Sequence, residues 1–224
     1  MGLGSVSVIG LGRVGLVLAA CMAYRGFDVI GVDLDEAKLR AISEGRAPFF
    51  EPGLGEILAE AVREGRLRCT KSYEEAIANS EASFICVDTP SLPDGDVNLS
   101  SVERASKSIG EALKRKGGWH LVVVRSTVPP LTTERVVAPA IEEASGLRRG
   151  EGFGLCMSPE FLREGSAVRD TFEPDRLVIG ELDERSGDAL ESIYRRFYGE
   201  RCPPVLRTSI VNAEMVKYAS NAFL

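Results

Sequence analysis

Gly10-Leu11-Gly12-Arg13-Val14-Gly15 has the spacing of a loop that lets a main chain close on a diphosphate. It follows a strand-like run, Val6-Ser7-Val8-Ile9, and opens an apolar helical stretch from Val14 to Tyr24. Gly10 permits the tight turn, Gly12 lets the backbone approach the pyrophosphate, and Gly15 allows helix and strand to pack closely. The helix tip offers free N–H groups and the positive end of its dipole to the phosphates. The next strand-like run, Asp28 to Asp33, ends in a carboxylate 18 residues beyond Gly15. An acid about 20 residues on is what accepts the hydroxyls of an adenosine ribose. That carboxylate would repel a 2′-phosphate, and Leu34-Asp35 adds no arginine to welcome one, so NAD is favoured over NADP. Val14 and Lys38 join the cofactor-binding set. Arg13 either reaches the pyrophosphate or points to solvent. The alternative reading of the loop is a tight structural turn with no ligand.

Two further pairs have spacing that suits chemistry. Lys217 and Asn221 stand four residues apart, so on a helix they share one face. An ammonium and a carboxamide on that face can both point at a developing alkoxide or oxyanion, each contributing a few kcal/mol in a dry site. Glu160 and Glu164 are also four apart, provided Phe161-Leu162-Arg163 forms a helical turn after Pro159. One carboxylate buried beside another has its pKa raised and can act near neutral pH. The plainer readings are a solvated Lys and Asn, and helix amino-terminal acids favoured by the dipole.

The elements that must position these groups alternate. Strands are expected at Val6–Ile9, Asp28–Asp33, Ala82–Val87, Leu121–Arg125, Gly154–Met157 and Arg176–Ile179, with an edge strand at Val205–Arg207. Helical patterns fill Val14–Tyr24, Glu36–Glu44, Leu54–Glu64, Tyr73–Ala78, Leu99–Lys114, Thr133–Glu143, Glu184–Phe197 and Asn212–Leu224. This repetition predicts an α/β, Rossmann-like, doubly wound and mostly parallel sheet covered on both faces. Thr89-Pro90, Val128-Pro129-Pro130 and Ser158-Pro159 punctuate the carboxyl edge, where open α/β sheets bind ligands. Pro203-Pro204 reads as a boundary, dividing a domain at 1–203 from the start of a helical segment at 204–224. The last helix has no glycine cap or terminating turn, which suggests an amino-terminal piece of something longer.

Composition sets the outer limits. The 224 residues are 44% hydrophobic and 27% charged, with a net charge of −6, ordinary for a globular chain. An acidic balance argues against nucleic acid as a partner. No run reaches the ~18 apolar residues of a membrane span. The five cysteines have no CxxC pair, which points to free thiols in a reducing cytoplasm and away from a metal site. A single histidine, His120, excludes any mechanism that needs two.

Five motifs occur in order along the chain: Phe50-Glu51-Pro52-Gly53-Leu54, Cys86-Val87-Asp88-Thr89-Pro90, Arg125-Ser126-Thr127-Val128-Pro129, Ser158-Pro159-Glu160-Phe161-Leu162-Arg163-Glu164-Gly165, and Glu214-Met215-Val216-Lys217-Tyr218-Ala219-Ser220-Asn221. Together they resemble the UDP-glucose/GDP-mannose dehydrogenase family over essentially the whole length. Ser83–Ser91 and Val178–Asp183 are most similar to the GDP-mannose members, and UDP-glucose members share much of both. The resemblance implies oxidation of a sugar C6 alcohol to a carboxylate with two NAD, through a thioester on a cysteine in a GGxCxPKD-like motif. This sequence contains no such motif, and Cys156 reads as a buried strand residue. The resemblance gives Lys217 and Asn221 the oxyanion role, Glu160 the water and proton of thioester hydrolysis, Thr127 a share in holding that water, and Glu164 a supporting part. It brings the Phe161-Leu162-Arg163 backbone to the sugar diphosphate, and places Thr89, Ser126 and Thr127 along the NAD. Asp88 departs from the glycine or asparagine more usual there. Glu51-Pro52-Gly53-Leu54 either closes over substrate or simply caps a helix. The family's central helical segment builds a homodimer, which the final helix would begin. A β-hydroxyacid dehydrogenase relative and a non-catalytic NAD-binding module are the competing readings.

Overall fold

The computed structural model describes residues 3–223. Its sheet has eight strands: β1 (Ser5–Ile9), β2 (Asp28–Val32), β3 (Leu67–Thr70), β4 (Ala82–Ile85), β5 (His120–Val124), β6 (Phe153–Met157), β7 (Leu177–Glu181) and β8 (Val205–Ser209). They lie in the order β3-β2-β1-β4-β5-β6-β7-β8. Every pairing is parallel except β6 with β7. The order reverses direction between β1 and β4, which opens a crevice at their carboxyl ends.

Helices cover both faces: α1 (Arg13–Tyr24), α2 (Glu36–Ser43), α3 (Leu54–Arg63), α4 (Tyr73–Ala78), α5 (Ser100–Lys116), α6 (Ala138–Ser145), α7 (Ala167–Phe172), α8 (Glu184–Tyr198) and α9 (Ile210–Ala222). The strands are apolar on both sides because both sides are covered. In β5, Leu121 and Val123 pack into the layer holding α1 and α8, while Val122 and Val124 pack into the layer holding α5 and α6. Burial of each such side chain contributes roughly 1.5–3 kcal/mol before entropy is counted. None of these helices is long and apolar enough to cross a membrane.

Three elements differ from expectation. The strand β3 has no counterpart in the pattern, because Leu67-Arg68-Cys69-Thr70 is a short edge strand with one buried residue. The helix expected from Thr133 begins as a π-turn over Thr133–Val137 and becomes α-helical only at Ala138. The last helix starts at Ile210, where the Ser209 side chain accepts from the Asn212 amide at 3.4 Å, an N-cap that relieves one orphan donor. Its expected final residue, Leu224, lies outside the described residues.

Close packing brings this last helix to the sheet. A Cβ on Gly180 of β7 would come within 2.6 Å of the Ala213 Cβ and 2.8 Å of the Ile210 Cα. Glycine at 180 is therefore what lets α9 reach the strand ends with Lys217 facing inward.

Candidate functional site

Gly10 turns the chain out of β1 with φ +93°, a conformation that favours glycine. A Cβ on Gly15 would collide with the Gly10 carbonyl oxygen, so the loop can fold this tightly only with glycine there. The helix α1 has no side-chain cap and no acid in its first turn. Its first backbone bond within the helix is Leu16 N–H to the Gly12 carbonyl at 2.9 Å, which leaves the preceding amides facing the crevice. Leu11 is itself held by Asp33, whose Oδ2 accepts from the Leu11 amide at 2.9 Å and from Lys38 Nζ at 2.7 Å. Asp33 Oδ1 accepts from the Asp35 amide at 3.0 Å. Burial opposes charge on Asp33, but the bonds from Lys38, Asp35 and Leu11 outweigh it and hold the carboxyl below its usual range. The acid thus fixes the loop as well as offering lone pairs to a ribose.

The crevice is a cleft of about 760 Å³, with Gly12, Arg13, Val14, Lys38, Phe49 and Thr89 among its walls. Ser126, Thr127 and Glu160 close its far end. A smaller hollow of about 270 Å³ adjoins it beside Asp33, with Tyr73 and Arg104 as walls that the motifs do not reveal. Asp88 borders both, its Oδ1 3.6 Å from where a Cβ on Gly12 would lie. Arg13 arches over the cleft to Glu164 at 2.9 Å and stacks 5.2 Å above the Phe49 ring.

Two hydroxyls lock the loop after β5 to the loop after β4. Ser126 Oγ donates to the Val87 carbonyl at 2.6 Å, and Thr89 Oγ1 donates to the Thr127 carbonyl at 2.8 Å. These residues share the cleft wall, as their places at strand ends lead one to expect.

The densest chemistry lies just behind. Lys217 Nζ sits 2.8 Å from Glu160 Oε1, with only 7% and 10% of the two side chains exposed. Glu160 Oε2 also accepts from the Leu162 amide at 2.6 Å. The expected pairing of two carboxylates does not form. Residues 161–163 make no helical turn, because the Glu160 side chain takes the Leu162 amide and Arg163 is held by Asp170 at 2.7 Å. Glu160 therefore faces a cation, and Glu164 is an exposed partner of Arg13. Phe161, Leu162 and Arg163 instead wall a cavity of about 440 Å³ on the other side of Glu160. Asn221 is exposed one turn beyond Lys217. Cys156 is fully buried in β6 and burial pushes its thiol far up, which suits a strand residue and not a nucleophile.

Several residues of the five motifs gain a part in the site only from the structure. Arg125 is nearly buried, has an unpaired Nε, and reaches only the Ser158 carbonyl and Tyr194 hydroxyl, both at 3.4 Å. Glu51 is buried and accepts from the Gly165 and Ala167 amides at 3.0 and 2.8 Å, so its loop caps α7 and steadies the Glu160 segment. Glu214 is fully buried on α9. In the sequence it opens the fifth motif three residues before Lys217, which puts the two on the same inward helix face.

A dinucleotide fits what is present: uncapped amides, a glycine that admits no side chain, an acid at the end of β2 and a continuous cleft across the switch point. The description "UDP-glucose/GDP-mannose dehydrogenase family, NAD binding domain" matches residues 4–198. GDP-mannose 6-dehydrogenase from Azotobacter vinelandii is 47% identical over 97% of this chain and 49% of its own length. UDP-glucose 6-dehydrogenase AglM from Haloferax volcanii is 48% identical over 98% of this chain and 51% of its own. A ternary complex of GDP-mannose dehydrogenase from Pseudomonas aeruginosa superposes with a TM-score of 0.94 at 45% identity, covering 97% of this chain and 49% of that one. The chain spans about half the length of the curated relatives it matches. With five motifs in order, the Rossmann crevice and the family match over most of its length, the chain belongs to the UDP-glucose/GDP-mannose dehydrogenase family and carries that family's NAD binding domain.

Proposed function

We propose that this chain is the NAD-binding half of a nucleotide-sugar 6-dehydrogenase, which oxidises a sugar C6 alcohol to a uronic acid in two hydride transfers. The observation that carries the reading is the buried Glu160–Lys217 pair at the inner end of the cleft. A buried pair of this kind is costly to assemble and gains its use where charge must be moved in a dry site. NAD, when bound, supplies the hydride acceptor. Gly10, Gly12, Val14 and Gly15 hold its diphosphate, Asp33 and Lys38 its adenosine ribose, and Thr89, Ser126 and Thr127 its other end. Lys217 donates to the oxygen that gains negative charge, with Asn221 beside it when the substrate covers that face. Glu160 orients water and takes its proton, with Thr127 holding the same water. Glu164 and Arg13 form a bridge over the cleft mouth that positions the loops.

The partner is a nucleotide sugar of the UDP-glucose or GDP-mannose kind, and identities of 48% and 47% do not separate the two. The helix α9, which follows the last strand of the sheet, opens the central segment of a homodimer, and the protein works in the cytoplasm. The test is calorimetry on the 224-residue chain. NAD should bind at least tenfold more tightly than NADP, since a 2′-phosphate meets the Asp33 carboxylate. The chain alone should give no steady NADH with UDP-glucose or GDP-mannose, because it contains no GGxCxPKD-like motif. Absence of heat with NAD, or sustained turnover, would refute the proposal.

A further inference from the structure

Glu214 takes no part in the reaction proposed above, yet it is as buried as any core residue. It stands on the inward face of α9 with Ile210, Ala213 and Lys217. Ile210 and Ala213 supply the packing against Gly180, so the helix needs no carboxylate to adhere to the sheet. The Glu214 carboxylate instead reaches across to the loop after β5. Oε2 accepts from the Leu131 amide at 2.6 Å and Oε1 from the Thr133 amide at 2.8 Å.

That loop needs an outside hold. Leu131 is the single non-glycine residue with positive φ among the described residues, at +75°, a conformation the chain adopts only under constraint. Thr133 opens a π-turn and then a helix, whose first amides have no partner within the helix. Between Leu131 and Thr127 lie Val128, Pro129 and Pro130, two of them with fixed φ. A clamp at 131 and 133 therefore limits where Thr127 can sit, four residues away on a stiff segment. The other end of the segment is tied by Thr89 to the Thr127 carbonyl.

One helical turn thus controls both loops at the inner end of the cleft. Lys217 holds the Glu160 loop and Glu214 holds the Thr127 loop. In a sheet of this order the adenosine lies over the β2 side of the switch point, so the nicotinamide half lies over β4 and β5. We propose that Glu214 is a positioning residue that sets the Thr127 loop for the nicotinamide half of NAD while leaving the adenosine half untouched. The inference rests on the cofactor reading above and deepens it by assigning the two halves of the ligand to separate supports.

Two ligands separate the halves. ADP fills only the adenosine and diphosphate positions, and NAD fills both. Calorimetry on the 224-residue chain should show that Glu214→Ala weakens NAD by about tenfold, the scale of lost hydrogen bonds to a charged group, while ADP changes by less than about twofold. Glu214→Gln should recover part of the NAD affinity, because its carboxamide oxygen still accepts from one of the amides. Should the alanine variant not fold, the glutamine variant carries the test with hydrogen exchange. The Leu131 and Thr133 amides should exchange slowly in the parent chain and faster in the variant, and the NAD-to-ADP affinity ratio should fall with them. Equal losses for NAD and ADP, or unchanged NAD binding in a folded variant, overturn the proposal. A parent chain that binds ADP but gains nothing from the nicotinamide half also overturns it. A parent chain that binds neither ligand removes the cofactor reading and this inference with it.

Discussion

At the β1–β2 end of the cleft the binding groups come from one continuous stretch, Gly10 to Lys38, and most of them are main-chain amides. At the β5–β6 end they are side chains gathered from residues 51 to 221. In the first region the covalent geometry of a single strand–loop–helix unit sets the binding surface, and one acid ties it down. In the second region each side chain depends on a partner far away in sequence: Lys217 on Glu160, Glu214 on Leu131 and Thr133, Glu51 on Gly165 and Ala167. Damage to the first should therefore be steric and local, and damage to the second electrostatic and shared.

The largest effect should come from Gly15→Ala. The new methyl group would collide with the Gly10 carbonyl, and NAD affinity should fall by roughly 100-fold, the upper end of what overpacking costs. Calorimetry reads the loss, and circular dichroism should show the rest of the fold retained. Wild-type affinity in this variant would mean that the loop relaxes freely and the steric account is wrong.

Next is Lys217→Met, which strands a buried carboxylate. Unfolding in urea should show a loss of roughly 3–5 kcal/mol, partly restored when Glu160→Gln is added. A loss below about 1 kcal/mol would place the pair in the class of solvent-bathed bridges and make the two ends equally robust.

His120 probes the floor that both ends share, at the opposite edge of β5. Its Nε2 lies 2.7 Å from Ser83 Oγ and its Nδ1 2.7 Å from Lys116 Nζ. Burial, and then the Lys116 charge, depress its pKa from 6.5 to about 3. Between those values the unfolded chain binds more protons than the folded one, so stability is full above 6.5 and declines as pH falls toward 3. Moving from pH 7 to pH 5 should cost about 2 kcal/mol, and His120→Asn should flatten that slope in thermal melts. An unchanged slope would assign acid sensitivity to the carboxylates of the second region instead.

The smallest effect should follow Glu164→Gln. The Arg13–Glu164 bridge joins the two ends across the cleft mouth, but its side chains are 58% and 73% exposed. Stability should change by less than about 0.5 kcal/mol, measured by urea unfolding. A larger change would show that the ends are mechanically coupled at the surface, and the contrast between them would weaken.

Legibility follows the same division. The glycine loop, Asp33 and most strands could be read directly, because a β–α–β unit places them by local geometry. The edge strand β3 could not, since an edge buries too little to leave an apolar run. The helical turn expected at 161–163 fails because the Glu160 side chain captures the amide that such a turn would use, a competition that spacing does not display. Three of the five motifs, at 86–90, 125–129 and 158–165, supply walls of the cleft, yet none displays which carboxylate meets which cation.

By itself the sequence determined the alternation of strands and helices, the diphosphate loop and the acid at the end of β2, because these depend on residues near one another along the chain. Only the tertiary structure decided that Glu160 faces Lys217 and not Glu164, that Glu214 holds the Thr127 loop, and that Gly180 admits α9 to the site. Those outcomes turn on burial and on how far one helix can approach the sheet, and a linear pattern of residue types carries neither quantity.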